Sequence, residues 1–228
     1  MSCIDMKTKV IPTSRLPPTC VRWRRPDQGK LKLNIDGSAQ GNSGLAGGGG
    51  VLRDNRGNWV LGYSRKIERT TSSLAEWWAL RDGLHLCLSK NHLDVVVELD
   101  LEIIVDALTT TQQLDQPVSL LMGDCRFMAT RFNHIQFKHC YRERNKCANG
   151  LARKGVTQID DFFVYDKPPV ELKNSFIDDL NGKYSIRHYT ATASLLDSWF
   201  NEIPFSTPQK KKKLRYDIGR VTRTTKIH

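Results

Sequence analysis

The 228 residues, 39% hydrophobic, suffice for one core domain with tails, and no run approaches the ~20 apolar residues of a membrane-spanning helix. The formal charge of +11 sits at the ends: residues 1–30 carry seven basic against two acidic residues, 205–228 carry eight against one, and 20 basic and 21 acidic residues lie between. Overall charge is therefore no argument for a basic groove on the folded body, and a binding surface must be argued from local clusters.

No charged start followed by an apolar stretch appears, so no secretory leader is expected. The six cysteines (Cys3, Cys20, Cys87, Cys125, Cys140 and Cys147) include no C-x-x-C pair and read as reduced thiols, mostly core filler. An intracellular protein follows. Residues 1–28, with Pro12, Pro17, Pro18 and Pro26, read as a mobile basic arm, with Val21 to Arg25 pairing or packing before the first strand.

In Lys30–Ser38, KLKLNIDGS, Leu31, Leu33 and Ile35 alternate with Lys32, Asn34 and Asp36, the period of a strand. Asp36 falls on the face opposite Leu33 and Ile35. A carboxylate inside a sheet needs a partner, and a divalent metal is a common one; Asp36-Gly37 is equally a hairpin turn signal. Ala46–Asp54 and Asn58–Ile67 read as two further strands joined at Asn55-Arg56-Gly57, an antiparallel hairpin. Gly47 to Gly50 lack the G-K-[ST] of a phosphate loop and suit close approach of another backbone or a nucleic acid.

Thr71–Lys90 reads as a helix, with Trp77, Leu80, Leu84, Cys87 and Leu88 on one stripe. Ser73-x-x-Glu76 is a capping box, which accounts for Glu76 without chemistry; a catalytic role is the rival. Asp94–Asp100 reads as a buried, parallel-type strand. Asp100 at its end either caps the next helix, from Leu101 to Thr109, or lies where α/β sheets place ligands. Gln116-Pro117 opens another helix to about Arg131, Asn133–Cys140 is a fifth strand, and Asn145 caps a helix carrying Ala148, Leu151 and Ala152. Residues 29–156 thus form the domain. Residues 157–182, with the aromatic Asp161–Pro169, are a C-terminal extension packed on or near it. Residues 183–228 are a basic, mostly disordered tail, with a small helix possible over Ala191–Ile203.

The order strand, strand, strand, helix, strand, helix, helix, strand, helix resembles the ribonuclease H fold, an α/β architecture. More narrowly it resembles the plant ribonuclease H-like domain related to the one following reverse transcriptase in non-LTR retroelements. The matching text is Val21-Arg22-Trp23, Lys32 to Ser38, the glycine-rich second strand with Arg53-Asp54, Ala75-Glu76 to Ala79-Leu80, Glu98-x-Asp100, His139-x-x-Arg142-Glu143-x-Asn145 and Leu151-Ala152. The resemblance spans roughly residues 21–182. It implies a five-stranded mixed sheet of order 3-2-1-4-5, the first three strands antiparallel, with helices on both faces.

It also implies metal-dependent hydrolysis of the RNA strand of RNA–DNA hybrids by a two-metal mechanism; a monomer without membrane association is expected. Mg2+, with Mn2+ as a substitute, suits a cluster of hard carboxylate oxygens. Asp36, Glu76 and Asp100 would be metal ligands, with the fourth position at Asn149. His139, ten residues earlier, could shuttle a proton, or be a surface histidine at a strand end. Gly37, Ser38, Thr71, Arg142, Arg144 and Lys146 would contact nucleic acid; for Thr71 helix capping is an equal rival, and the basic residues, with Arg153 and Lys154, could be a solvated face.

One departure matters. The family pattern Asn-x-x-Ala-Asp-x-Leu-Ala reads Asn145-Lys146-Cys147-Ala148-Asn149-Gly150-Leu151-Ala152 here, so an amide replaces a carboxylate. That supports a second reading, a catalytically weak or inactive nucleic-acid-binding relative derived from a retroelement. No basic aromatic protrusion is read between Thr109 and Pro117. The run Lys210–Arg215 reads either as a nuclear address or as a solvated tail.

Overall fold

Alternation in Leu31–Ala39 decides the centre of the fold. Leu33 and Ile35 are fully buried on one face, while Lys32, Asn34 and Asp36 are buried on the other, so both faces must be covered. The computed structural model describes residues 19–41, 43–110 and 118–187, all within one folded unit. In chain order the elements are β1 (Thr19–Val21), β2 (Leu31–Ala39), β3 (Gly44–Arg53), β4 (Trp59–Thr70), α1 (Ser72–Ser89), β5 (Asp94–Leu99), α2 (Glu102–Thr109), α3 (Val118–Ala129), β6 (His134–His139), α4 (Lys146–Thr157), β7 (Phe162–Tyr165), α5 (Lys173–Leu180) and β8 (Ser185–Arg187).

The main sheet has six strands in the order β6-β5-β2-β3-β4-β7. This corrects the expected five-stranded sheet of order 3-2-1-4-5. The aromatic segment Phe162–Tyr165, which the sequence presents as an appendage, pairs antiparallel with Gly62–Arg65 and becomes the edge strand. Ladders from β2 through β7 on that side are antiparallel, and those joining β2, β5 and β6 are parallel. Two further short strands, β1 and β8, pair with each other in a separate ribbon.

On one face Leu33, Ile35, Trp77, Leu80 and Leu84 interlock with Val97, Leu99 and Ile104 in the larger core. On the other, Val51, Cys147, Leu151 and Leu172 form a smaller one under α4 and the C-terminal extension. The glycine run of β3 serves this close packing. A Cβ at Gly49 would collide with the α4 backbone at Leu151 and Ala152, so the run admits another backbone. The hairpin turn forms as read: Asp54 accepts from the backbone amides of Arg56 and Asn58, and Gly57 takes φ +88°.

Val21 and Trp23, ahead of the first strand of the main sheet, are buried, and Val21 pairs in β1. Cys87, Cys125, Cys140 and Cys147 are buried free thiols and Cys20 is an exposed one; Cys3 lies outside the described residues. So do Gln116-Pro117, Ala191–Ile203 and the Lys210–Arg215 run. No helix among the described residues is long and apolar enough to cross a membrane.

Candidate metal centre

Three elements bring Asp36, Glu76 and Asp100 together. Asp36 stands late on β2, Glu76 in the second turn of α1, and Asp100 just after β5, whose register parallel to β2 pairs Asn34 with Glu98. The crossing of α1 over β2 is allowed by Gly37, where a Cβ would collide with the backbone of Glu76 and Ser72. One carboxylate oxygen from each of the three acids lies within 4.8 Å of the others.

Helix capping does not account for these acids. The cap of α1 is Thr71, whose hydroxyl accepts from the amide of Leu74 (3.2 Å), so Ser73-x-x-Glu76 is not the capping box. Glu76 is buried and accepts from the amide of Leu101 (3.3 Å). Asp100 does not cap α2, whose N-cap residue Leu101 makes no side-chain cap bond. Asn145 precedes α4 without capping it; its Nδ2 donates to the carbonyl of Ile35 (2.7 Å), tying the start of α4 to the strand beside Asp36. Sequence reasoning missed this positioning role of Asn145, which is buried with its Oδ1 unpartnered, because its place before a helix suggests only a cap.

Electrostatics mark the trio as unfinished. Burial first, and then the charge of Asp100, push the Asp36 carboxyl up to about 7, against the Asn149 hydrogen bond and Arg142. Burial, followed by Asp100 and Asp36, raises Glu76 well above the usual carboxylate range. Burial raises Asp100 too, although Arg142 opposes it from 3.8 Å. Three clustered, largely buried carboxylates facing a single exposed arginine are short of compensating charge. The donor set (three hard oxygens within reach of one point) fits a divalent cation.

The fourth position differs. Asn149 does reach the site from α4, but it presents Nδ2 to Asp36 Oδ2 at 2.5 Å, a donor where a metal ligand must accept. Its amide thus occupies an Asp36 lone pair and adds no charge. Only three acidic groups cluster among the described residues, so the expectation of ordinary two-metal hydrolysis of RNA–DNA hybrids is corrected. The carboxylates total three negative charges against the four positive charges of two divalent ions, and the amide at the fourth position adds none.

The remaining expected residues divide. His139 is exposed near Asp100, its Nε2 3.2 Å from the Asp100 carbonyl. Gly37 is buried and Ser38 half-buried at the end of β2. Arg142 is exposed beside Asp100, whereas Arg144 is largely buried and turned toward Glu98 (3.9 Å). Lys146 donates to Ser185 Oγ (2.8 Å), and Lys154 pairs with Glu171.

Six-stranded mixed sheet, helices on both faces and an acidic trio drawn from β2, α1 and the end of β5 define a ribonuclease H-like fold with a metal-binding cluster short of one carboxylate. The chain belongs to the reverse transcriptase-like family, whose model matches residues 34–155. A putative ribonuclease H protein of Arabidopsis thaliana is 35% identical over 162 residues, 71% of this chain, and the chain spans only 26% of that relative. Among solved structures, RNase H1 of Halobacterium salinarum superposes with a TM-score of 0.53 at 26% identity, covering 56% of this chain and 98% of that one. LC11-RNase H1, isolated from compost, in complex with an RNA/DNA hybrid gives 0.51 at 28%, covering 55% and 96%.

Proposed function

We propose that this protein binds RNA–DNA hybrids through a ribonuclease H-like surface and is a catalytically weak or inactive member of its family. The observation that carries the reading is the Asn149 amide donating to Asp36 inside an otherwise assembled acidic site. Asp36, Glu76 and Asp100 would hold a divalent cation, Mg2+ or Mn2+, which when bound would supply charge neutralisation and polarise a phosphate oxygen. Around it, the exposed Arg142 and His139 beside Asp100 would meet a phosphate, and Gly37, Ser38 and Thr71 would contact the nucleic acid near Asp36. Arg144 is excluded from that surface by its burial against Glu98. Likeness to the LC11 enzyme, which was crystallised with an RNA/DNA hybrid, supports the choice of ligand. The Arabidopsis relative and the reverse transcriptase-like family support kinship with ribonuclease H-like domains associated with reverse transcriptases.

The test is a labelled hybrid with Mg2+ or Mn2+, comparing the parent with Asn149→Asp. Hybrid binding by both within about threefold, with cleavage by the parent at least ~100-fold slower, is the expected result, the size of effect a lost electrostatic group produces. A parent that fails to bind hybrid, or that cleaves as fast as Asn149→Asp, overturns the reading.

A further inference from the structure

The β1–β8 ribbon stands apart from the main sheet and contributes no residue to the acidic trio, and its two faces differ in kind. Register pairs Val21 with Ser185 and Cys20 with Ile186. Alternation therefore puts Val21, Ser185 and Arg187 on one face, and Cys20, Tyr184 and Ile186 with Arg22 on the other. The first face is the inner one: Val21 is buried, Ser185 accepts from Lys146, and the Arg187 guanidinium lies 3.7 Å from the centroid of Tyr141. The outer face is open. Tyr184 and Ile186 are 57% and 60% exposed, and the exposed Arg22 guanidinium stands 5.0 Å from the Tyr184 ring centroid.

A ladder of contacts links this ribbon to the acidic site. His139 touches the Asp100 carbonyl, packs edge-on against Tyr141 at 5.5 Å, and Tyr141 in turn carries Arg187 of β8. Neither strand of the ribbon contains an acidic residue; Arg22 stands at its outer face, while Lys146 and Arg187 engage the inner one. An exposed aromatic ring with a guanidinium over one of its faces is a combination that stacks a base on the ring and holds its phosphate without reading sequence.

We propose that the outer face of the β1–β8 ribbon binds single-stranded nucleic acid leaving the duplex held at the acidic site, Tyr184 stacking an unpaired base and Arg22 holding its phosphate. The three-residue strands, ~10 Å long, accommodate one or two nucleotides. The inference rests on the hybrid-binding reading above and adds to it a preference for hybrids with an overhang.

Fluorescence anisotropy on the full chain tests it, with a blunt 12-base-pair RNA–DNA hybrid and the same hybrid carrying a six-nucleotide overhang at each of the four possible ends. The parent binds one overhang polarity at least about fivefold more tightly than the blunt hybrid, a modest value for one stacked base. Tyr184→Ala and, independently, Arg22→Gln remove most of that gain and leave blunt-hybrid affinity within twofold. Blunt binding without any overhang gain, or a gain that survives both substitutions, overturns the ribbon site and leaves the hybrid-binding reading standing. No binding of either hybrid overturns both. A change in molar mass by light scattering on Tyr184→Ala identifies the face as a contact between copies of this chain and equally overturns the proposal.

Discussion

Two ends of one strand face, four residues apart, solve the problem of buried charge in opposite ways. At the start of β2, Lys32 pairs with Glu98 (2.5 Å), Asn34 accepts from Trp23 and Arg53 and donates to Glu98, and Arg53 pairs with Asp179 of α5 (2.8 Å). Positive and negative groups alternate there, and the Arg53 guanidinium lies 3.6 Å from the Trp23 ring centroid. At the end of β2, Asp36 meets Glu76 and Asp100, with a neutral amide and one exposed arginine for company. The first end is closed by the protein's own ions and holds the structure together. The second lacks counter-charge, so its carboxylates hold protons until a cation from outside replaces them.

The sharpest way to break this contrast is to remove a partner from the closed end. Asp179→Ala leaves the buried Arg53 cation without its counter-charge, and the expected loss is about 3–5 kcal/mol of stability in urea unfolding. The same loss is expected of Arg53→Ala, and combining the two should cost far less than their sum. Additive effects would show that the two groups do not act as a pair.

A smaller effect, of opposite character, belongs to the open end. The folded Asp36 carboxyl, pushed up to about 7, lies above its ordinary 3.8, so the native state keeps a proton that the unfolded chain releases. Metal-free stability therefore falls as pH rises from about 4 to 7, on the order of 2–4 kcal/mol across the window. Excess Mg2+ or Mn2+ should restore Tm at about pH 7.5 and do little at about pH 5, where protons compete for the same oxygens. A metal-free Tm that rises across this window would contradict the uncompensated cluster.

The smallest expected effect is at the hinge between the two ends. Asn145→Ala removes the bond to the Ile35 carbonyl, at a cost of about 1–2 kcal/mol, and loosens the seat of Asn149 one helical turn on. Asn145→Asp, which keeps the size but cannot donate when ionised, should fail to rescue it. Equal stability of parent and Asn145→Ala would mean that α4 is held by its apolar contacts alone.

Much of this was legible in the sequence because it rests on period. Alternation in β2, the helical stripe of α1 and the strand ends at Ser38 and Asp100 determine where the acids lie, and their convergence follows from a parallel β2–β5 pairing. What period cannot reveal is which groups pair across distant segments. Asp179 lies 126 residues beyond Arg53, and nothing local to either announces the pair. The edge strand β7 escaped for a similar reason: four aromatic-rich residues read equally as packing or as pairing until the open edge of β4 is known. The capping box at Ser73 is not formed because Thr71, just before it, takes the cap, and Glu76 is drawn instead to the amide of Leu101. Asn149 was visible as a missing carboxylate, but not that its amide turns its nitrogen toward Asp36.

Calorimetric titration with Mn2+ at about pH 7.5, on the parent and on Asp36→Asn, addresses the central claim most directly. The account predicts binding by the parent that weakens at least ~10-fold in Asp36→Asn while the variant stays folded, because the asparagine removes the charge on which Glu76 and Asp100 converge. Unchanged Mn2+ affinity in the variant, or no binding by a folded parent, would contradict it.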